Sequence, residues 1–426
     1  MNSALAIENG RVIDPATGLD ATAGVYIADG RVAAIGVPPP GFAAQRVIDA
    51  RGLIVAPGLV DLCARMREPG AEGALRGEMR AALRGGVTGV VCPPDTEPPL
   101  DEPGLVRMLR QRSREAAGAR LYPLGALTAA LGGETLAEMH TLAQVGCVAF
   151  CQTGALPANH GTLLQALRYA RTFDLHVWLR PVDASLVGDG VAGEGGLSAR
   201  LGLPGIGIAA ETVALHTIFE LQRASGTRIH ICRLSTADGV ELVRAAKREG
   251  LPVTADVSMH HVHLVDQDIG YYDTNCRLDP PLRTHADRAG ICRGLADGTI
   301  DAVCSDHTPV SLEDKLLPFG EARCGASGLE TLLPLTLEWA RAHGLPLVQA
   351  LAAVTSAPAR ILAEDTGTLQ PGRKADVVVF DPQAWWIVDA ESLVSSGKNS
   401  PFAGQRLTGR VRYTLVGGEV RFEGVQ

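Results

Sequence analysis

No apolar stretch of this chain is long enough to cross a membrane, which excludes a helical span. The start, Met1-Asn2-Ser3-Ala4, has no basic segment followed by an apolar one. No secretory leader is therefore expected, and the expected location is cytoplasmic. Basic residues are not in excess: 39 Lys and Arg against 47 Asp and Glu give a net charge of -8, mild for 426 residues. That balance gives no support for nucleic-acid binding. The nine cysteines contain no Cys-x-x-Cys pair, and most sit in apolar strand-like runs such as Cys147–Cys151. They read as buried, reduced thiols of a cytosolic protein, not as disulfides or a zinc ribbon.

With 46% hydrophobic and 20% charged residues, the chain can fill one large domain and a small one. Residues 1–52 read as short strands (Ala4–Ile7, Val25–Ile27, Val47–Asp49) followed by turns at Glu8-Asn9-Gly10, Ala28-Asp29-Gly30 and Ala50-Arg51-Gly52. Asn-Gly and Asp-Gly signal hairpins because those residues tolerate positive φ. Residues 365–426 repeat the style in Ala375–Asp381, Val411–Val416 and Glu419–Phe422. Such pieces cannot each bury a core, so the two termini are expected to pair into one small β domain.

Residues 53–364 alternate apolar runs with amphipathic stretches. Eight strand candidates appear: Leu53–Leu62, Val87–Cys92, Leu121–Leu124, Cys147–Cys151, Leu175–Leu179, Arg228–Cys232, Pro252–Val257 and Ile300–Cys304. Helical periodicity fills the gaps, as in Glu78–Arg84, Leu105–Ala117, Leu163–Thr172, Ala210–Ala224 and Val240–Arg248, with Gly226 and Gly250 as stop signals. Eight such repeats predict an α/β fold, a (β/α)8 TIM barrel. Functional residues of a barrel sit where strands run out into loops. The strand ends here offer Cys63, Arg65 and Arg67, then Asp95, Gln152, Arg180 with Asp183, Arg233, His260-His261, and Asp306.

The stretch Ala56–Gly70 carries the most information. With His at 63 and 65 it would match the metal-binding strand Pro-Gly-x-(Val/Ile)-Asp-x-His-x-His-x-Arg-Glu-Pro-Gly of the dihydroorotase branch of the amidohydrolases. Further matches in order are Gly85–Thr88, Ala210-Glu211-Thr212, Asp279–Arg283, Asp297–Asp301, Ser305-Asp306-His307, Gly328–Glu330 and Lys398–Phe402. Taken together, they make the chain resemble a bacterial type I dihydroorotase along nearly its whole length. The resemblance implies an amidohydrolase-type TIM barrel with a small β-sandwich formed by both termini. It also implies, in an active member, zinc-activated water acting on the cyclic amide of dihydroorotate.

Carried across position by position, the metal-site positions are held by Cys63, Arg65, Gln152, Arg180, Arg233 and Asp306, and only Asp306 keeps the family residue. Arginine stays protonated and has no lone pair for a metal. A guanidinium ~4 Å from a dication is opposed by roughly 8 kcal/mol at an effective dielectric near 20. One thiolate and one carboxylate do not complete a tetrahedral site. The expectation is that zinc and the hydrolase chemistry are both lost, with no cofactor and Asp306 vestigial. On the substrate side, Arg67 and Asn275 match family contacts, whereas Asp95 replaces an Asn. His260, His261 and His263 read as structural, and His230 as a satisfied core residue.

Two roles are open to Arg65, Arg180 and Arg233: an anion pocket, or a plug of the emptied barrel mouth paired with Asp306, Asp95 or Asp183, which is the preferred reading. In function the chain resembles the inactive dihydroorotase-like chains that assemble with the aspartate carbamoyltransferase catalytic chain in some bacteria. This implies a pseudoenzyme subunit in pyrimidine synthesis, in a homodimer or larger hetero-oligomer. The alternatives are a residually active hydrolase with a metal-poor site, using Cys63 as nucleophile, and a small-anion sensor.

Overall fold

The apolar run Leu53–Leu62, expected as one strand, serves two sheets. In the computed structural model, which describes residues 4–66 and 74–424, it divides at Gly58. Ile54–Pro57 joins the sheet of the termini, and Leu59–Asp61 opens the barrel. A Cβ at Gly58 would fall 2.2 Å from the Thr88 side chain, so glycine permits the close approach at this break.

Eight parallel strands follow in sequential spatial order: Leu59–Asp61, Val87–Cys92, Arg120–Ala126, Ala149–Gln152, Val177–Leu179, Ile229–Ile231, Val253–Ser258 and Ala302–Cys304. Each lies within or overlaps one of the predicted runs. The helices between them include Ala74–Arg84, Pro103–Glu115, His160–Thr172, Ala209–Ser225 and Ala237–Glu249. The last two end on Gly226 and Gly250 in the left-handed conformation. The barrel interior is packed by Val60, Leu62, Val91, Tyr122, Leu124 and Trp178.

The first and eighth strands share no ladder. Their seam is closed by the turn after a short helix, through Val60 N to Val354 O and Val303 N to Ala353 O, each 2.9 Å. The buried Asp61 carboxylate bolts the same seam, accepting the Ser305 amide at 2.9 Å, the Ser305 hydroxyl, and the Cys63 amide at 3.3 Å. Burial pushes its pKa up to about 6, against those hydrogen bonds.

Both termini build a second, eight-stranded sheet from Leu5–Asp14, Leu19–Ala28, Arg31–Ile35, Arg46–Asp49, Ile54–Pro57, Val377–Ile387, Arg406–Val416 and Glu419–Glu423. Ile7, Val25, Val55, Val377 and Leu415 form its core. Asp29-Gly30 and Gly417-Gly418 make hairpin turns at positive φ. The predicted turn at Glu8-Asn9-Gly10 is instead a register shift inside one long strand, where Asn9 takes φ 64°. Asparagine's tolerance of positive φ there makes a bulge, not a hairpin. No described helix is long and apolar enough to cross a membrane.

Asp61→Ala orphans three buried donors and is expected to lower the unfolding free energy by about 3 kcal/mol, read by urea denaturation. An unchanged midpoint would contradict the seam assignment.

Candidate functional site

The strand ends bring Arg65, Arg180 and Arg233 together with Asp95, Asp279 and Asp306. Arg233 donates through Nη1 to Asp306 Oδ1 at 2.8 Å and to the Asp279 carbonyl at 3.2 Å. Arg65 donates through Nε to Asp95 Oδ2 at 2.8 Å and through Nη1 to Thr308 Oγ1 at 2.9 Å, with Nη1 3.6 Å from Asp306 Oδ1. Arg180 makes a two-armed pair with Asp279. Arg180, Arg233 and Asp306 are all buried.

The backbone sets this geometry where the strands end. Arg233 and Asp306 take φ of 56° and 49°, a state that costs non-glycine residues on the order of 1 kcal/mol and needs support around it. Arg233 has that support, since its amide donates to Asp256 Oδ1 at 2.6 Å. The other Asp256 oxygen meets His230 Nε2 at 3.0 Å, so His230 is the satisfied core residue expected.

Several sequence expectations change here. Asp183 is not a partner of the arginines; it caps the short helix Ala184–Val187 through the Ser185 amide. Asp279 takes that place. It lies just before Pro280-Pro281, on a loop that Arg180 and Arg233 tie to the ends of the fifth and sixth strands. Although burial favours its neutral acid, Arg180 and then Arg233 and Arg65 hold Asp279 below the usual carboxylate range. Asp95 pairs with Arg65.

Gln152 turns away, accepting from Thr128 Oγ1 at 2.8 Å and donating to the Leu131 carbonyl at 2.8 Å. Asn275 lies on the turn Thr274–Cys276, its amide bonded to Asp273, and is not in the cluster. Arg67 and the turn Glu68-Pro69-Gly70 lie outside the described residues. Cys63 faces Asp306 Oδ1 at 3.5 Å. Burial raises its thiol well above the usual range despite Arg233 and Arg65, the reverse of what a cysteine nucleophile needs.

This donor set does not fit zinc. It offers a protonated thiol and a carboxylate already bonded to a guanidinium, with two cations within 4 Å of that carboxylate. Among the described residues, no group of three or more His, Cys, Asp or Glu side chains could hold a metal ion. His260 shares a hydrogen bond with Ser258 Oγ, while His261 and His263 donate through Nε2 to the carbonyls of Pro281 and Leu335. Burial lowers the pKa of all three to about 4. Beside the network lies a cavity of about 350 Å³, lined by apolar side chains such as Pro181, Val187 and Ile206 together with Arg180 and Arg233.

The family described as "Dihydro-orotase-like" matches residues 52–239, and "Amidohydrolase family" matches residues 197–422. A "Dihydroorotase-like protein" of Pseudomonas putida is 44% identical over 98% of each chain. The chain belongs to the dihydroorotase-like amidohydrolases. A protein of the same name from Pseudomonas aeruginosa is 43% identical over 99% of this chain and 100% of its own, and a "Dihydroorotase" of Anaeromyxobacter dehalogenans is 42% identical over 99% of each. The L-hydantoinase (dihydropyrimidinase) of Arthrobacter aurescens superposes with TM-score 0.85 at 24% identity, covering 99% of this chain and 96% of its own. That likeness establishes the family's barrel with its sheet from the termini.

Removing one partner of a buried pair strands the other's charge. Arg233→Met is therefore expected to cost about 3 kcal/mol in urea unfolding, and Arg233→Met/Asp306→Leu to recover most of it. No recovery would contradict the assignment of Asp306 as the partner that offsets the buried charge of Arg233. The neutral histidines bind fewer protons folded than unfolded, so stability falls as pH drops from 6.5 toward 4. At pH 5 each is expected to cost roughly 1–2 kcal/mol. Equal urea midpoints at pH 7 and pH 5 would contradict this.

Proposed function

We propose that the chain is a catalytically inactive dihydroorotase homologue that uses no zinc. Its role is to support assembly of the aspartate carbamoyltransferase catalytic chain in pyrimidine synthesis. The observation that carries the reading is the Arg–Asp network at the positions where the family resemblance places metal ligands. Three guanidiniums each meet a carboxylate, so the cluster is balanced without an added anion, which favours a plug over an anion sensor. Asp306, the surviving acid, has its Oδ1 taken by Arg233 and, among the described residues, no partner to activate water. The carbamoyltransferase partner rests on the sequence resemblance alone.

The test is a dihydroorotase assay in both directions with zinc supplied, alongside co-purification with the host's aspartate carbamoyltransferase and sizing of the product. No turnover and a co-eluting complex are expected. Turnover of dihydroorotate would overturn the inactive reading, and separate elution would overturn the partner.

A further inference from the structure

The opposite end of the barrel holds a second opening. A cleft of about 790 Å³ lies between the N-terminal ends of the third and fourth barrel strands and the terminal sheet. Five cationic side chains line it (Arg110, Arg114, Arg120, Lys374 and Arg421), against two carboxylates, Glu364 and Glu419. Three of the cations are paired: Arg120 with Asp376 at 3.0 Å, Arg421 with Glu419 at 2.5 Å, and Lys374 more loosely with Glu364 at 3.6 Å.

Arg110 and Arg114 stand one helical turn apart on Pro103–Glu115, and among the described residues neither is paired with a carboxylate. Arg110 is held in place by the Val145 carbonyl at 2.7 Å and by Gly146, where a Cβ would fall 2.0 Å from its Nη1. A second feature is Tyr122, 7% exposed, whose hydroxyl has no hydrogen-bond partner among the described residues. Its ring packs inside the barrel, yet the residue lines this cleft. A buried hydroxyl without a partner costs on the order of 1–3 kcal/mol and points to a ligand that would satisfy it.

We propose that this cleft binds a small phosphate-bearing anion, recognised by the Arg110 and Arg114 guanidiniums and the Tyr122 hydroxyl. Two guanidinium forks and a phenol line the same cleft as hydrogen-bond donors. A phosphoryl group has three acceptor oxygens to meet them, where a carboxylate has two. The Leu121, Val148 and Leu362 side chains leave room for an organic body beside the phosphate. The site is remote from the barrel mouth and stands whether or not the mouth is catalytic.

The experiment is calorimetric titration of the full-length protein with inorganic phosphate, pyrophosphate and ribose 5-phosphate in separate arms. Saturable binding of at least one probe is expected, and the tightest arm distinguishes a free phosphate from a phosphorylated metabolite. Arg110→Ala/Arg114→Ala is expected to weaken it about tenfold or more, as loss of charge-assisted bonds does. Tyr122→Phe is expected to weaken binding several-fold while leaving the melting temperature of the free protein unchanged or higher, because the hydroxyl it removes has no partner. No saturable binding of any probe below millimolar concentration would overturn the proposal. So would equal affinity in these variants, or loss of binding on Arg65→Ala, which would move the anion to the barrel mouth.

Discussion

The barrel mouth is governed by the requirement that a buried charge have a partner. Asp306 meets Arg233 at 2.8 Å and lies 3.6 Å from Arg65; Asp279 takes both arms of Arg180, and Asp95 takes Arg65. An arginine set into such a site alone would carry a desolvation penalty of several kcal/mol. The three arginines are tolerable because three carboxylates face them. The same pairing occupies the lone pairs that a metal would need.

Polar residues behind the network hold it in place. Asp256 ties the Arg233 backbone to His230. His307, next to Asp306, accepts the Gly328 amide on Nδ1 and so donates from Nε2 to Glu78 at 2.9 Å. Burial disfavours the Glu78 charge, but His307 and Ser396 outweigh it and hold its pKa at about 2. Glu78 thereby joins the first helix to the loop after the eighth strand and to Ser396. The mouth is set by a fixed polar frame that would hold its side chains in position without a bound ion.

Much of this was legible in the sequence, for identifiable reasons. Parallel barrel strands are buried on both faces, so runs such as Val87–Cys92 stand out as continuous apolar segments. Arg65, Arg180 and Arg233 were found because strand ends could be located. Their partners were harder to find, since pairing is decided in space. Asp183 was placed with the arginines and Asp279 was not, although they lie on loops about a hundred residues apart. The break at Gly58 was hidden because both halves of the run are apolar, and the Asn9 bulge because hairpins and bulges share one turn residue. The Tyr122 hydroxyl left no trace in sequence, because lacking a partner is a property of the fold.

The central claim is that paired guanidiniums and carboxylates stand where a dication would bind. Its most direct test is a competition titration of the purified chain with zinc against a chromophoric chelator. No site of micromolar or tighter affinity is predicted. One equivalent of tightly bound zinc, lost on Cys63→Ala or Asp306→Ala, would contradict the account.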